Sequence, residues 1–315
     1  METLGLSAYS GSMNESKRKD HAALVALLRA PHHGKSWAEL TAEILEAGSA
    51  LKVWQALEPT ALMPHPAEPD PLETASRDVE LWEQQGRALV TILDPGYPER
   101  LRGIHQAPPF LFASGTLLPQ DNAMSVVGSR GASARGLSVA AAVARELAAR
   151  NVSVVAGLAL GIDTAAHRAA LDAGGRTVAV IGTGISKYYP AANRELQQEI
   201  AQKGLVLSQF WPDAPPQKHT FLMRNATMSG YGKATIVVEA GETSGTRVQA
   251  RLAVEHGRPV ILTDMVVERN EWAKGLVGRP GVHVASDLRS LLAVVEKLIA
   301  TSADVDAELR RMVSA

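Results

Sequence analysis

The sequence predicts an α/β protein built on a doubly wound, mostly parallel sheet that is preceded by a small all-α domain. Short β-rich apolar runs recur at 125–127, 154–156, 178–181 and 235–238, and each ends in small or polar residues. Helical patterns fill the intervals between these runs. Successive strands of a parallel sheet show this pattern, and such sheets bind ligands where their strands end. We therefore expect the functional site within the stretch 124–239.

The overall composition excludes several classes of protein. The chain has 315 residues, 46% of them hydrophobic, which suffices for one large or two modest domains. It has no cysteine, which excludes disulfides and thiolate metal sites and suits a reducing cytoplasm. No apolar run approaches the roughly 18 residues that span a bilayer, and the polar N-terminus lacks a signal-peptide core. We expect a cytoplasmic protein without membrane segment, cofactor or metal, since His32 and His33 have no third ligand nearby.

The distribution of charge is more informative than the net charge of −1. Residues 1–122 hold 10 Lys and Arg against 16 Asp and Glu, whereas residues 123–262 hold 15 against 9. The glycine-rich sheet segment is therefore the basic part of a neutral protein, which favours an anionic ligand there. The alternative is chance variation on a solvated surface.

The N-terminal part of the chain is predicted to be a tail followed by helices. We expect a disordered tail at 1–19 and a helical domain at 20–87. Helical patterns begin at His21 and, with Ser36 as the cap, at Trp37. Five prolines at 59–72 indicate a linker inside this domain.

The larger domain is predicted at 88–286, followed by a C-terminal helix and tail at 287–315 that are too short for a winged-helix domain. It opens with a strand at 88–93, and the segment 101–115 is expected to lie as an extended arm along the edge of the sheet. Seven further strands are predicted at 124–127, 152–156, 177–181, 205–208, 235–238, 260–262 and 282–284. Helical segments are predicted at 133–150, 164–173, 194–202, 224–229, 246–255 and 288–299. Asp163 is the expected N-cap of the helix at 164–173.

Three glycine-rich loops, at 128–131, 157–161 and 241–246, are the candidate ligand-binding segments. Each follows a predicted strand and opens a helix, so its glycines allow close backbone approach and its N–H groups suit phosphate. Four basic side chains in strand-end loops or at a helix start could add charge: Arg130, Lys187, Lys218 and Arg224. The alternative is that these glycines serve chain geometry alone.

Several enzyme classes are disfavoured. The sequence has no G-x-x-x-x-G-K-[ST] loop, no H-E-x-x-H motif and no nucleophile elbow. Gly182 and Gly184 lack the third glycine of a dinucleotide fingerprint, because Lys187 stands in its place. Asp163 and His167 lie four residues apart and could act as acid and base, although bracing of the helix is the favoured interpretation.

A set of motifs resembles the DNA-processing protein A (DprA, also Smf) family in residue type, order and spacing across about 90–262. These motifs are 126–130, 156–163 with Ala166 and His167, Tyr189 with Pro190, Phe221 with Arg224 and Asn225, 238–240, and Ser244 with Gly245. The segment 97–115 is similar to the family's entry segment. Residues 21–85 resemble its helical, SAM-like domain by position and pattern.

The resemblance implies an extended Rossmann-like fold that binds single-stranded DNA without catalysing a reaction on it. It implies protection of incoming strands in natural transformation, assistance in loading a RecA-type recombinase, and a homodimer. By the resemblance Arg130 holds a DNA phosphate and Arg224 lies in the same pocket. The predicted DNA- and phosphate-binding residues are Gly128, Ser129, Arg130, Gly157, Gly161, Lys187, Lys218, Arg224, Asn225, Ser244, Gly245 and Thr246. Asp163, His167 and Glu239 are predicted to be structural at the site.

The sequence departs from the family pattern in or beside this pocket. The family usually has a second Arg where Ala226 stands, Glu where Gln209 stands, Thr where Gln249 stands, and Pro-Gly where 263–264 lie. These departures leave open whether transformation, defence or a mobile element is served.

Two further functions remain as alternatives. One is a nucleotide-binding sensor or N-glycosidase-like enzyme of the related Rossmann-like superfamily. Its catalytic carboxylate would have to be Glu239 or Glu242, because Gln249 cannot act as a base. The other is an interaction module that recruits a partner through the helical domain. Aromatic content is only 4%, so phosphate contact rather than successive base stacking is expected to dominate any binding of DNA.

Overall fold

The parts of the chain that the computed structural model describes are residues 15–30, 35–61 and 69–313. The chain forms two compact units. Unit 1 consists of Met1–Asp121 and Val178–Tyr231, and unit 2 of Asn122–Thr177 and Gly232–Ala315. Each unit therefore joins two separate stretches of sequence, while the domain limits given above follow chain order and stay predictions.

Strands and helices alternate along most of the described chain. Its strands are β1 (Ala88–Thr91), β2 (Phe110–Gly115), β3 (Ala123–Gly128), β4 (Ser153–Ala156), β5 (Thr177–Val180), β6 (Leu205–Ser208), β7 (Thr235–Glu239), β8 (Val260–Thr263) and β9 (Val282–Ala285). Its helices are α1 (Glu15–Arg29), α2 (Trp37–Ala47), α3 (Ala50–Ala61), α4 (Pro71–Gln84), α5 (Glu99–Arg102), α6 (Ala134–Ala149), α7 (Ile162–Asp172), α8 (Arg194–Lys203), α9 (Lys218–Tyr231), α10 (Gly245–Glu255), α11 (Asp264–Arg269), α12 (Glu271–Lys274) and α13 (Leu288–Val313).

The predicted α/β class is confirmed, with mostly parallel strands and a helical segment before them. In unit 1, β6 runs parallel to β5, while β1 and β2 are antiparallel to each other and β2 is antiparallel to β6. In unit 2, neighbouring strands of the order β4-β3-β7-β8-β9 all run parallel. Parallel strands are buried on both faces, which explains why they were visible in the sequence as continuous apolar runs.

The predicted arm at 101–115 is in part a true strand of the sheet. Phe112 of β2 pairs with Leu89 of β1 on one side and with Ser208 of β6 on the other. The prediction of an arm lying along the sheet edge was therefore wrong for this part, because β2 has a strand on each side. Its residues Phe110–Gly115 are almost all buried, as expected for an internal strand.

The core of unit 2 lies between its strands and the helices α6, α7 and α13. Val126, Val154 and Ile236 extend from the strands into this core, and Val143 and Leu147 of α6 pack against them. All five side chains are essentially inaccessible to solvent. This packing fixes the strand ends, and with them the loops that carry the candidate site.

The helical segment differs from its prediction at the N-terminus. Helix α1 begins at Glu15, six residues before the predicted start, so the predicted tail at 1–19 overlaps a helix. Residues 1–14 of that tail lie outside the described residues, as do His32 and His33 and residues 62–68 of the predicted linker. Ser36 caps α2 as predicted: its hydroxyl accepts from the backbone N–H of Glu39, and the Glu39 carboxylate accepts from the N–H of Ser36.

Two helices are longer than predicted. Helix α9 spans Lys218–Tyr231 rather than the predicted turn at 224–229, because polar residues such as Thr220 and Thr227 are buried along it and no apolar stripe marks its length. Helix α13 continues to Val313 rather than 299, where the apolar periodicity stops but good helix formers continue. The three short helices α5, α11 and α12 were not predicted. Across the described ranges, no helix is both long enough and apolar enough to cross a bilayer.

Candidate nucleic-acid interface

The loop after β3 is packed tightly against its neighbours in unit 2. A side chain at Gly128 would lie 2.5 Å from a side-chain carbon of Ile162 and 2.7 Å from the carbonyl oxygen of Glu239. The N–H of Ser129 donates to that same carbonyl at 2.7 Å, and the N–H of Ile162 donates to the carbonyl of Ser129 at 3.2 Å. Gly128 therefore lacks a side chain because the neighbouring residues leave no room for one. Arg130, two residues later, is exposed.

A carboxylate of the protein itself occupies the N-terminus of α6. The backbone N–H of Ser133 donates to both carboxylate oxygens of Glu239, at 3.1 and 3.2 Å, and the Ser133 hydroxyl donates to one of them at 2.6 Å. Ser133 also caps the helix by accepting from the N–H of Gly136 at 3.0 Å. A side chain at Gly136 would overlap the Glu239 carboxylate. The carboxylate of Glu239 therefore takes the place at the N-terminus of α6 where a phosphate of a ligand was expected.

The loop 157–161 is likewise folded around a carboxylate. Asp163, which is 5% exposed, accepts from the N–H of Gly157 at 2.9 Å and from that of Ala159 at 3.3 Å. The expectation that Asp163 caps α7 was wrong: the N-cap is Gly161, whose φ of 77° lies in the left-handed region. Leu158 also has a left-handed φ of 59° and is fully buried, so the carboxylate holds the loop in a conformation that a leucine rarely adopts.

His167 of α7 contacts Thr177, the last residue of the first stretch of unit 2. Its Nδ1 lies 2.6 Å from the hydroxyl of Thr177, and that hydroxyl donates to the carbonyl of Val154 at 2.8 Å. Because the Thr177 proton is used in this way, Nδ1 of His167 carries the proton of their hydrogen bond. The two residues considered as an acid–base pair thus bind separate parts of unit 2: Asp163 binds the 157–161 loop and His167 binds Thr177.

The loop 241–246 starts α10 with a serine cap. The hydroxyl of Ser244 accepts from the N–H of Thr246 at 3.2 Å. Side chains at Gly241 and Gly245 would meet nothing within 4 Å, so in this loop the glycines leave open space. The carboxylate of Glu242, the second candidate for catalysis, accepts a hydrogen bond from the backbone N–H of Glu271 at 2.9 Å.

Unit 1 contributes the predicted residues of α9. Arg224 is only 6% exposed, and its guanidinium donates to the carbonyl of Val180 at 2.7 Å and to the side-chain oxygen of Asn225 at 3.2 Å. It therefore binds the C-terminal end of β5. Lys218, at the first turn of α9, is exposed, and three residues further on Phe221 occupies the space beside Gly182, where a side chain would lie 2.5 Å from its ring.

An aromatic pair, with one exposed and one half-buried ring, lies in the same part of unit 1. The rings of Tyr189 and Phe221 have centroids 5.5 Å apart at an interplanar angle of 43°, and Tyr189 is 41% exposed. Lys187 precedes Tyr189 by two residues, and its ammonium group lies 3.2 Å from the carboxylate of Asp213. The low aromatic content predicted little base stacking, but it could not show that two rings meet beside basic residues.

The structure thus groups the predicted site residues in two sets, each described within its own unit. Unit 2 holds Gly128, Ser129, Arg130, Gly157, Gly161, Asp163, His167, Glu239, Ser244, Gly245 and Thr246, and unit 1 holds Lys187, Lys218, Arg224 and Asn225. Ser133 was missed, although its spacing from Gly136 at a helix start is a capping signal. In the described part of the chain, no cluster of three or more His, Asp or Glu side chains could hold a metal ion.

The fold and these loops define the class of the protein. It is a Rossmann-like α/β protein in which basic and aromatic side chains accompany the strand-end loops, an arrangement suited to nucleotides or nucleic acids. Residues 88–277, more than half of the chain, match the family of DNA recombination-mediator protein A. The chain belongs to this family.

Individual relatives agree with this assignment. The chain is 44% identical over 171 residues to the DNA processing protein DprA of Streptococcus pneumoniae, a match that covers 54% of this chain and 60% of that relative. Its structure is similar to the X-ray structure of the Streptococcus pneumoniae protein, with a TM-score of 0.67 and 31% identity over 88% of this chain and 97% of the other. It also resembles DNA processing protein A of Helicobacter pylori, whose structure was described for its single-stranded DNA binding mode, with a TM-score of 0.59 and 25% identity over 66% and 96% of the two chains. The chain thus spans under two thirds of the length of its curated relatives.

Proposed function

We propose that this protein binds single-stranded DNA and acts in DNA recombination. Membership of the recombination-mediator family supports this function, as does the similarity to the Helicobacter pylori protein, whose structure concerns single-stranded DNA binding. The observation that carries the proposal is local to unit 1: the exposed ring of Tyr189 meets the half-buried ring of Phe221, and a lysine lies two or three residues from each ring along the chain. Single strands are bound by this combination, because bases stack on rings while phosphates meet cations.

The stacking surface consists of Tyr189 and Phe221. Their rings lie 5.5 Å apart, and Phe221 shares α9 with Lys218, three residues earlier on the same helix, where side chains are neighbours. Lys187 lies two residues before Tyr189. We therefore propose that a base stacks on Tyr189 and that Lys187 and Lys218, which are close in sequence to the two rings, contact the phosphates.

In unit 2 the phosphate contact falls on side chains rather than on the loop backbone. The N–H groups of Gly157, Ala159 and Ser133 already donate to carboxylates of the protein. The glycines of the loops at 128–131 and 157–161 are therefore proposed to be structural, whereas Arg130, exposed after β3, is proposed to bind phosphate directly. A strand held in this way binds through charge and depends strongly on salt.

The wider function is proposed by the same reasoning. The protein would act without a chemical step on DNA, in the cytoplasm, as a homodimer, and together with a RecA-type recombinase that receives the bound strand. Glu239 and Glu242, the carboxylates considered for catalysis, both accept hydrogen bonds from backbone N–H groups, and we propose that both have structural roles. Incubation with nucleoside monophosphates should release no free base, and release that depends on either glutamate would contradict this view.

The central experiment compares single-stranded and double-stranded oligonucleotides of one sequence by fluorescence anisotropy in a salt series. We expect preferential binding of the single strand, with log K falling by about 0.7 per log unit of salt for each phosphate contacted. Lys218→Gln and Arg130→Gln should each weaken binding and reduce this slope by about one contact. Lys203→Gln is the matched control, because Lys203 is exposed on α8 and pairs with Glu199. Affinity that is independent of salt would refute the proposal.

A second experiment tests the stacking surface. Tyr189→Leu keeps an apolar side chain but removes the exposed ring, and should weaken binding of the single strand about tenfold, within the range measured for one stacked base. Its salt slope should stay that of the unmodified protein, because no charge is changed. An equal loss of affinity for duplex DNA would show that Tyr189 does not contact unpaired bases.

A further inference from the structure

The side chain of Trp211, in the loop 209–217 that leads from β6 to α9, is held mainly by the N-terminal helices. Its ring stacks on Phe110 with centroids 4.6 Å apart and an interplanar angle of 25°. It lies 6.1 Å from the ring of Trp82 and, edge to face, 6.0 Å from that of Trp37. The guanidinium of Arg29 lies 5.0 Å above it. Helices α1, α2 and α4 thus each place one side chain against this half-buried ring.

The main chain just after Trp211 is hydrogen-bonded to a different segment, the turn 184–187. The N–H of Ser186 donates to the carbonyl of Pro212, and the N–H of Gly184 donates to the carbonyl of Ala214, both at 2.9 Å. A side chain at Gly184 would overlap the carbonyl oxygens of Trp211 and Pro212. The loop 209–217 and the turn 184–187 are therefore in backbone contact, and a shift of one requires a shift of the other.

The turn 184–187 ends at Lys187, one of the proposed phosphate contacts. The backbone N–H of Lys187 donates to the carbonyl of Gly184 at 2.9 Å. Its ammonium group lies 3.2 Å from the carboxylate of Asp213, two residues after Trp211. One continuous chain of contacts thus runs from the N-terminal helices through Trp211 to a basic side chain of the candidate site.

We propose that Trp211 is a positioning residue through which the N-terminal helices set the location of Lys187 for binding single-stranded DNA. This inference rests on the proposed function. It assigns to the helical segment a part in DNA binding that needs no contact between the helices and DNA. Arg29 completes the arrangement, because it covers the ring and pairs with Asp78 of α4 at 2.5 Å.

A residue that only stabilised the fold would lower stability without any specific link to Lys187. The test is therefore a double-mutant cycle on the full chain, with Trp211→Leu, Lys187→Gln and the double variant, each measured for affinity to a labelled thymine oligonucleotide at low salt. We expect Trp211→Leu and Lys187→Gln each to weaken binding. If the two residues act together, the loss of affinity in the double variant should be at least about threefold smaller than the product of the two single losses. That ratio corresponds to a coupling free energy of about 0.7 kcal/mol. Trp211→Phe keeps a stacked ring and should restore the affinity.

Independent losses in the cycle, or unchanged binding by Trp211→Leu, would overturn the inference while leaving the proposed function standing. If the unmodified chain does not bind the oligonucleotide, both this inference and the proposed function are refuted.

If circular dichroism shows that Trp211→Leu does not fold, Arg29→Met takes its place, because it removes the cation that lies over the ring of Trp211. Arg77→Met is the matched control, because Arg77 is an exposed arginine of α4 paired with Glu73. The inference requires Arg29→Met to show coupling with Lys187→Gln and Arg77→Met to show none.

Discussion

Asp94 is a buried carboxylate that ties α1 to the turn after β1, and its replacement by asparagine gives a quantitative test of the unit 1 structure. Its oxygens accept from the backbone N–H of Thr91 at 2.8 Å, from His21 at 2.9 Å and from the ammonium group of Lys17 at 2.9 Å. Burial by itself raises the pKa of Asp94, but the hydrogen bond and charge of His21, then Thr91 and Lys17, lower that pKa from 3.8 to about 2.

The size of the effect follows from this pKa. One pKa unit corresponds to about 1.4 kcal/mol, so the ionised carboxylate contributes about 2 kcal/mol to the free energy of unfolding at neutral pH. Because the folded-state pKa is depressed, this stability is present above about pH 4 and is lost as pH falls through 4 towards 2. At pH 3 the unmodified protein should have lost about 1 kcal/mol of it. Asp94→Asn lacks the titration and should be destabilised by about 2 kcal/mol at pH 6.

The assay is urea unfolding followed by circular dichroism at pH 6, 5, 4 and 3 for both proteins. The difference in free energy of unfolding should shrink by about 1 kcal/mol between pH 6 and pH 3. Glu73→Gln, which removes an exposed carboxylate paired with Arg77, should show almost no difference at either pH. A gap between Asp94→Asn and the unmodified protein that stays constant across this range would refute the reasoning, because the carboxylate would then not be ionised in the manner its contacts require.

Three further substitutions test individual contacts by the same unfolding measurement. Gly161→Ala should cost at least about 2 kcal/mol, because φ is 77° and the new carbon would overlap the carbonyl of Ser129; a neutral result would mean that the loop adopts another conformation. Ser133→Ala removes the N-cap of α6 and the hydroxyl that donates to Glu239, and should cost about 1 to 2 kcal/mol; an unchanged free energy of unfolding would contradict both contacts. Tyr231→Phe removes a hydrogen bond of 2.7 Å to the carboxylate of Asp121 and should cost about 1.5 to 3 kcal/mol; an unchanged midpoint would contradict that bond.

The strands were predictable because the strands of a parallel sheet appear in the sequence as short, continuous apolar runs. The run predicted at 235–238 is the strand Thr235–Glu239, and the run predicted at 205–208 matches β6 at both ends. Both faces of these strands are covered, so nearly every side chain must be apolar. Helix α9 shows no continuous apolar stripe, because its buried positions include Arg224 and Asn225. The hydrogen-bond partners of such buried polar side chains are known only from the folded structure.

The loops of the candidate site were predictable in their positions, but their hydrogen bonds were not. The loops at 128–131 and 157–161 are where the glycines indicated. What occupies their N–H groups could not be found from sequence, because Glu239 reaches Ser133 across 106 residues. Asp163 was predicted as a cap because acidic residues are favoured at helix starts, but its carboxylate turns back to Gly157 instead. Local propensity cannot distinguish these two partners.

The aromatic cluster around Trp211 also has a consequence for synthesis of the chain on the ribosome. Phe110 and Phe112 of β2 are made about 100 residues before Trp211 and before β6, the strand that covers their second side. At a translation rate of about 5 to 20 residues per second, these rings wait roughly 5 to 20 seconds for their partners. During that interval Trp37 and Trp82, which are made earlier, can already contact Phe110 and Phe112 respectively. The helices that precede the sheet in sequence can therefore shield its first strands from aggregation while the remainder is being made.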